Sequence, residues 1–314
     1  MVSTIISALL PIVVTLMLGF AAGWHQDFDE KQAAILNRMI MLYALPLNLF
    51  AGMIGTPRDD ILRQGVLAIA ILLGMVGTYA IVFVIARFLC RRDLMTSSLQ
   101  ALAIGGPAVP FVGVPILGQL VGTASAIPIS VASLALNLVQ VPVTIMFLSV
   151  GMGSRKVSAG NSAPTLAGPL VHALREPVVW APVLALILVL FKAEFPDPIR
   201  ESMFLLGKAT GGVSLFASGI ILFSRRVAIS LPTGISVCAR NVIVPALTLA
   251  LCVVAGVAPK TTREVVLTIA IPAASICLIL AVQYQTAEQE MASTLFFSTI
   301  LSIVTMGAFM WLTA

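Results

Sequence analysis

The stretch Ala103-Ile104-Gly105-Gly106-Pro107-Ala108-Val109-Pro110-Phe111-Val112-Gly113-Val114-Pro115 holds three prolines and three glycines inside a run, Leu94–Ser154, that carries no charge. Each proline removes a backbone hydrogen bond and clashes with the preceding turn, so one regular helix cannot contain all of them. A run this apolar belongs in hydrocarbon, where a freed carbonyl or N–H is costly unless protein or a polar cavity receives it. The segment therefore reads as a broken helix turned toward the interior of a membrane protein. A gentler break recurs at Ile271-Pro272-Ala273-Ala274-Ser275. Ordinary proline kinks are the alternative at both places.

The rest of the chain supports a membrane setting. Of 314 residues, 59% are hydrophobic and 10% charged, against about 25% charged in a soluble domain. Crossing the hydrocarbon takes about 20 apolar residues. Windows of that kind predict about ten spans, at 2–24, 34–55, 64–89, 96–120, 127–150, 175–192, 203–223, 234–257, 264–284 and 291–313. The first window lacks a basic leader and is too long for a cleavable signal. The two breaks fall in spans 4 and 9, the fourth span of each half. Residues 1–152 are expected to form one five-helix repeat, 153–174 a cytoplasmic linker and 175–314 a second repeat, inverted because five is odd. Leu49-Phe50-Ala51 returns as Leu215-Phe216-Ala217 at the matching position. Paired interruptions in inverted repeats point to a substrate site at the membrane midplane.

Lys and Arg are more frequent in the odd-numbered loops, which puts both termini outside the cell and the linker inside. The net charge of +5 reports this loop bias. No basic tract with interleaved aromatics occurs, so nucleic acid is excluded as a partner. The four cysteines, Cys90, Cys238, Cys252 and Cys277, form no CxxC pair and read as small apolar residues. No metalloprotease, nucleophile-elbow or phosphate-loop motif is present, and no cofactor or metal is expected.

The candidate site gathers around the breaks. Gly106, Pro110, Gly113, Pro115 and Pro272 would free backbone groups, and half-helix N-termini suit a carboxylate. Asn48, Asn137, Gln140 and Ser275 are uncharged hydrogen-bonding groups inside spans, and Gln283 is another. Helix–helix hydrogen bonding is the default use of such residues. Asn137 and Gln140 are three apart, so a regular helix would put them on one face. Lys208 and Arg240 are the cations at depth. Lys208 also fits snorkelling to the interface, and Arg240 also fits a structural or gating role. No Asp or Glu falls in the middle of a span, which leaves a carboxylate-based proton path without a candidate.

These motifs bring a resemblance. Ala44-Leu45-Pro46 with Leu49-Phe50, Val112-Gly113-Val114-Pro115-Ile116-Leu117-Gly118, Arg175-Glu176-Pro177-Val178-Val179-Trp180-Ala181-Pro182, Leu215-Phe216-Ala217-Ser218-Gly219 and Ser298-Thr299-Ile300-Leu301-Ser302 resemble the auxin efflux carrier family. Within it, the chain is most similar to the bacterial malonate carriers. The resemblance implies an all-α fold of ten spans in two inverted five-helix repeats, with spans 4 and 9 broken and crossed. It also implies a scaffold of spans 1, 2, 6 and 7 and a transport domain holding the crossing. The chain departs from the family pattern at Pro110-Phe111, where many relatives carry Asn.

The expected function is alternating-access transport of a small organic anion, malonate or a similar dicarboxylate, across the bacterial inner membrane. A monocarboxylate carrier, a sodium-coupled carrier of another organic anion and a non-transporting membrane sensor are the alternatives. The expected partners are the carboxylate, a proton or sodium ion for coupling, and the lipid bilayer. A homodimer is one reading of the oligomeric state.

Overall fold

The computed structural model describes residues 2–54, 65–109, 117, 125–158, 177–191, 196–224, 228 and 230–313. Pro110, Gly113 and Pro115, and most of the expected linker, lie outside the described residues. In chain order the helices are α1 (Val2–Trp24), α2 (Glu30–Ala51), α3 (Gly65–Leu89), α4 (Leu94–Gly105), α5 (Ile127–Gly153) and α6 (Pro177–Leu190), with α5 continuing in helical form to Ser158. They continue with α7 (Asp197–Ser224), α8 (Leu231–Val254), α9 (Pro259–Ile269), α10 (Ile276–Gln283) and α11 (Glu288–Leu312). Among the described residues, six of them, α2, α3, α5, α7, α8 and α11, are long and apolar enough to cross a membrane. Span 4 stops as a helix at Gly105, and span 9 is divided between α9 and α10.

Several helices begin earlier than the apolar windows predict: Glu30 against 34, Asp197 against 203, Leu231 against 234, Pro259 against 264 and Glu288 against 291. The added turns are polar and hold their own start signals. Asp29 accepts from the Gln32 N–H at 2.8 Å while the Gln32 side chain accepts from the Asp29 N–H, a reciprocal cap. Asp93 caps α4 through the Thr96 N–H, Ser230 caps α8 through Thr233, and prolines occupy the first turn of α7 and α9. Hydropathy is blind to such turns. The earlier start of α9 puts Glu264 within a helix, near the start of span 9 and only 4% exposed, the one buried carboxylate among the described residues.

Two groups of helices pack together. In the first, α1 lies along α7, and α2 packs on α6 and α7. Small residues permit this closeness. A Cβ on Gly19 would meet the Phe216 carbonyl oxygen and one on Gly219 the Leu16 carbonyl oxygen, both well inside contact distance. In the second group α3 packs on α4, α4 on α5, α8 on α9 and α11, and α9 on α3. Outer faces carry exposed apolar side chains such as Ile69, Leu73, Phe88, Leu247 and Leu251. Apolar faces this extended need lipid against them.

Candidate functional site

α4 and α9 end close together, and the chain beyond each end crosses the other. Pro107 and Ala273 form an antiparallel bridge in which the Ala108 N–H donates to the Pro272 carbonyl at 2.9 Å and the Ala274 N–H to the Gly106 carbonyl at 3.0 Å. The two breaks thus satisfy part of each other's freed backbone, as buried peptide groups must. Gly106 is required by space: a Cβ there would lie 2.7 Å from the Leu102 carbonyl oxygen.

One side of the crossing is a hydrogen-bonded joint. Arg240 is 1% exposed. Its Nη1 donates to the Ile104 carbonyl at 2.8 Å, Nε to Ile271 at 3.1 Å and Nη2 to Ile269 at 3.0 Å, with a further Nη2 bond to Ile271. These carbonyls belong to the C-terminal ends of α4 and α9, where helix dipoles are negative and a cation is stabilised. A guanidinium offers five donors in a rigid fork, so one side chain can serve both ends. Gln140 Nε2 donates to the Gly105 carbonyl at 3.0 Å and the Met75 carbonyl at 2.9 Å. Asn241 Nδ2 donates to the Ser298 carbonyl, Ser298 Oγ donates to Asn241 Oδ1, and the Ala273 N–H donates to Ser298 Oγ.

The other side is a cavity of about 30 Å³ between α2, α5, α7 and the crossing, room for a water or two. Asn48, Asn137, Thr210 and Ser275 are its polar lining, with Ala108 and Ala274 from the crossing itself and aliphatic residues elsewhere. Asn137 is 8% exposed, and the buried Thr210 hydroxyl has no hydrogen-bond partner. Ser275 heads α10, whose N-terminus has no side-chain cap, and its Oγ lies 3.2 Å from Ser214 Oγ. Partial positive charge at a helix start therefore meets the cavity.

The structure brings Asn48, Asn137 and Ser275 together at the cavity, with Gly106 and Pro272 in the crossing behind it. Gln140 and Arg240 are occupied on the joint side. Asn137 and Gln140 part company because Ala135–Gln140 is a π-helical turn, whose i→i+5 bonds rotate successive residues less than an α-helix does. Lys208 is exposed at the α7 surface, its Nζ 5.7 Å from the centre of the Phe204 ring. The structure does not bring it to the cavity. Thr210, Asn241 and Ser214 escaped notice in the sequence, and Ser298 stood out only as part of a family motif. The spacing of four in Thr210, Ser214 and Ser218 was the available signal.

A family model described as "Membrane transport protein" matches residues 4–310. The chain belongs to this family, the auxin efflux carriers. It is 27% identical over 307 residues to "Uncharacterized transporter YfdV" of Escherichia coli (strain K12), covering 97% of this chain and 96% of that protein. It is 23% identical over 309 residues to the "Putative malonate transporter" of Rhizobium meliloti (strain 1021), covering 96% and 94%. Membership in the membrane transport family makes the chain a multi-pass membrane transporter of a small molecule and not an enzyme.

Proposed function

We propose that the chain carries a small organic anion, malonate or a similar dicarboxylate, by alternating access across the bacterial inner membrane. The observation that carries this reading is the N-terminus of α10, without a side-chain cap, opening on a cavity whose Asn137 and Thr210 side chains are buried. A carboxylate would receive hydrogen bonds from these groups and the favourable end of a helix dipole worth about half an elementary charge. The likeness to a protein named for malonate adds weight. With Arg240 engaged by carbonyls, no free cation faces the cavity among the described residues. That suits a monoanion, the second carboxyl bringing the coupling proton with it. Asn48, Asn137, Thr210 and Ser275 are the proposed substrate-binding side chains.

In this account residues 1–152 and 175–314 are inverted repeats with both termini extracytoplasmic. The antiparallel approach of the two breaks and the placement of Arg91 and Arg92 in an odd-numbered loop, with Lys31 and Arg87 in the helix turns that flank such loops, support it. Helices α1, α2, α6 and α7 would form the scaffold. The remainder, joined by the Arg240 hydrogen bonds, would move against it as a unit. The aliphatic lining by Leu45, Leu49, Leu136 and Ile279 favours one second reading, a monocarboxylate with an apolar body.

The test is uptake of a labelled carboxylate panel into proteoliposomes, with pH and sodium gradients imposed separately. Uptake of malonate driven by the pH gradient and indifferent to sodium is expected. Uptake confined to monocarboxylates selects the second reading, and a strict sodium requirement contradicts coupling through the substrate's own proton.

A further inference from the structure

The first turns of α2 pack on two elements, the second half of α7 and α10. Within them the buried residues are Ala33 and Asn37, four apart and therefore on one face. Asn37 is 3% exposed, and neither its Nδ2 nor its Oδ1 has a hydrogen-bond partner. An amide buried in this way costs free energy on both atoms, and close packing alone would be better served by Leu or Met.

The hollow spaces on either side suggest what the amide is for. Further along α2, about 16 Å away at 1.5 Å per residue, Asn48 lines the cavity together with Ile276 and Ile279 of α10. In the opposite direction Ala34 shares a groove of about 480 Å³ with Val282, Gln285 and Glu288 near the other end of α10 and with Asp29, Glu30 and Lys31 at the start of α2, three carboxylates beside one ammonium. Helices α2 and α10 run antiparallel, with the cavity toward one end of their contact and the groove toward the other, and Asn37 stands at a level of α2 between the two. The α7 side of the region carries Thr210, Ser214 and Ser218, all buried and spaced by four. The α2 and α7 faces toward this region therefore hold an amide and hydroxyls.

We propose that the α2–α10 seam is the solute's passage between the cavity and the face bearing Lys31, and that Asn37 is a carboxylate-binding station along it. The proposal rests on the reading of the cavity as a carboxylate site. As the seam parts, the Asn37 Nδ2 donates to the passing carboxylate, and as it closes the amide is left without a partner. The unpartnered state and the two flanking spaces have one explanation.

Single cysteines at Asn37 and, as a groove control, at Ala34 are introduced with exposed Cys90 and Cys238 changed to Ser. A membrane-impermeant anionic methanethiosulfonate is applied to proteoliposomes from the Lys31 face, with and without malonate. Labelling at both positions, with malonate slowing Asn37→Cys, is expected. Labelling of Asn37→Cys that malonate leaves unchanged keeps the passage and overturns malonate as its solute. Labelling of Ala34→Cys alone overturns the passage. Uptake supplies a second readout: Asn37→Leu should lose roughly 10-fold or more, the scale of one hydrogen bond to a charged group, while Asn37→Ser keeps most of the activity. Full uptake by Asn37→Leu would overturn the role of the amide.

Discussion

The two sides of the Pro107–Ala273 crossing are built from the same kinds of residue and treat them differently. On the Arg240 side, the side chains of Arg240, Asn241 and Ser298 and the Nε2 of Gln140 are engaged, largely with backbone groups released by the breaks. On the cavity side, the Thr210 hydroxyl stands unpartnered and the start of α10 has no side-chain cap. Polar residues in a membrane interior are costly, and here the cost is offset more fully on the Arg240 side, where Gln140 Oε1 is left without a partner, than around Thr210. The engaged side has the chemistry of a joint that must survive movement. The open side has the chemistry of a surface awaiting a solute.

Removing Arg240 should have the largest effect. Arg240→Leu leaves the carbonyls of Ile104, Ile269 and Ile271 without their cation, a loss of about 3–5 kcal/mol by analogy with broken buried pairs. A collapse of folded yield or a large fall in thermal midpoint in detergent is expected. Arg240→Lys should not restore it, because one ammonium cannot reproduce the fork. Arg240→Gln should reduce uptake of monoanions and dianions alike. Selective loss of dianions would move Arg240 to the substrate side and erase the comparison.

Ser298→Ala ranks next. It strips a partner from Asn241 and from the Ala273 N–H and should cost about 1–3 kcal/mol, read as a lower thermal midpoint. Thr210→Val should show the opposite pattern. The hydroxyl is buried without a partner, so a methyl of the same shape leaves stability within about 1 kcal/mol or slightly raises it, while uptake falls. A marked loss of stability in Thr210→Val would show that the cavity side is structural too. The smallest effect belongs to Lys208→Gln. Lys208 is exposed and does not line the cavity, so stability should stay within about 0.5 kcal/mol and the KM for malonate should not move.

The sequence made some of this legible and hid the rest for physical reasons. The prolines and glycines at Gly105–Pro107 and Pro272 announced the breaks because backbone chemistry is local. Asn48, Asn137 and Ser275 were found because polar groups in apolar windows are few. Which polar group faces the solute and which faces the joint depends on helix rotation, and no composition reports that. The π-helical turn at Ala135–Gln140 is the clearest case, separating two amides that regular spacing would have paired. Hydropathy likewise missed the polar opening turn of α9, and with it the burial of Glu264. Lys208 looked deep because its window is apolar, yet it lies on the outer face of α7.

Asn137 and Gln140 offer the most direct test, since they share one helical turn and differ in the side they serve. Each is changed to Ala, and thermal midpoint in detergent is measured beside KM and kcat for malonate in proteoliposomes. Asn137→Ala is expected to raise KM roughly 10-fold, the scale of one charge-assisted hydrogen bond, with the thermal midpoint unchanged. Gln140→Ala should lower the midpoint, since two carbonyls lose their donor, and leave the KM of the folded protein as it was. Equal loss of stability from both, or a KM change confined to Gln140→Ala, would contradict the division of the crossing into a joint and a binding face.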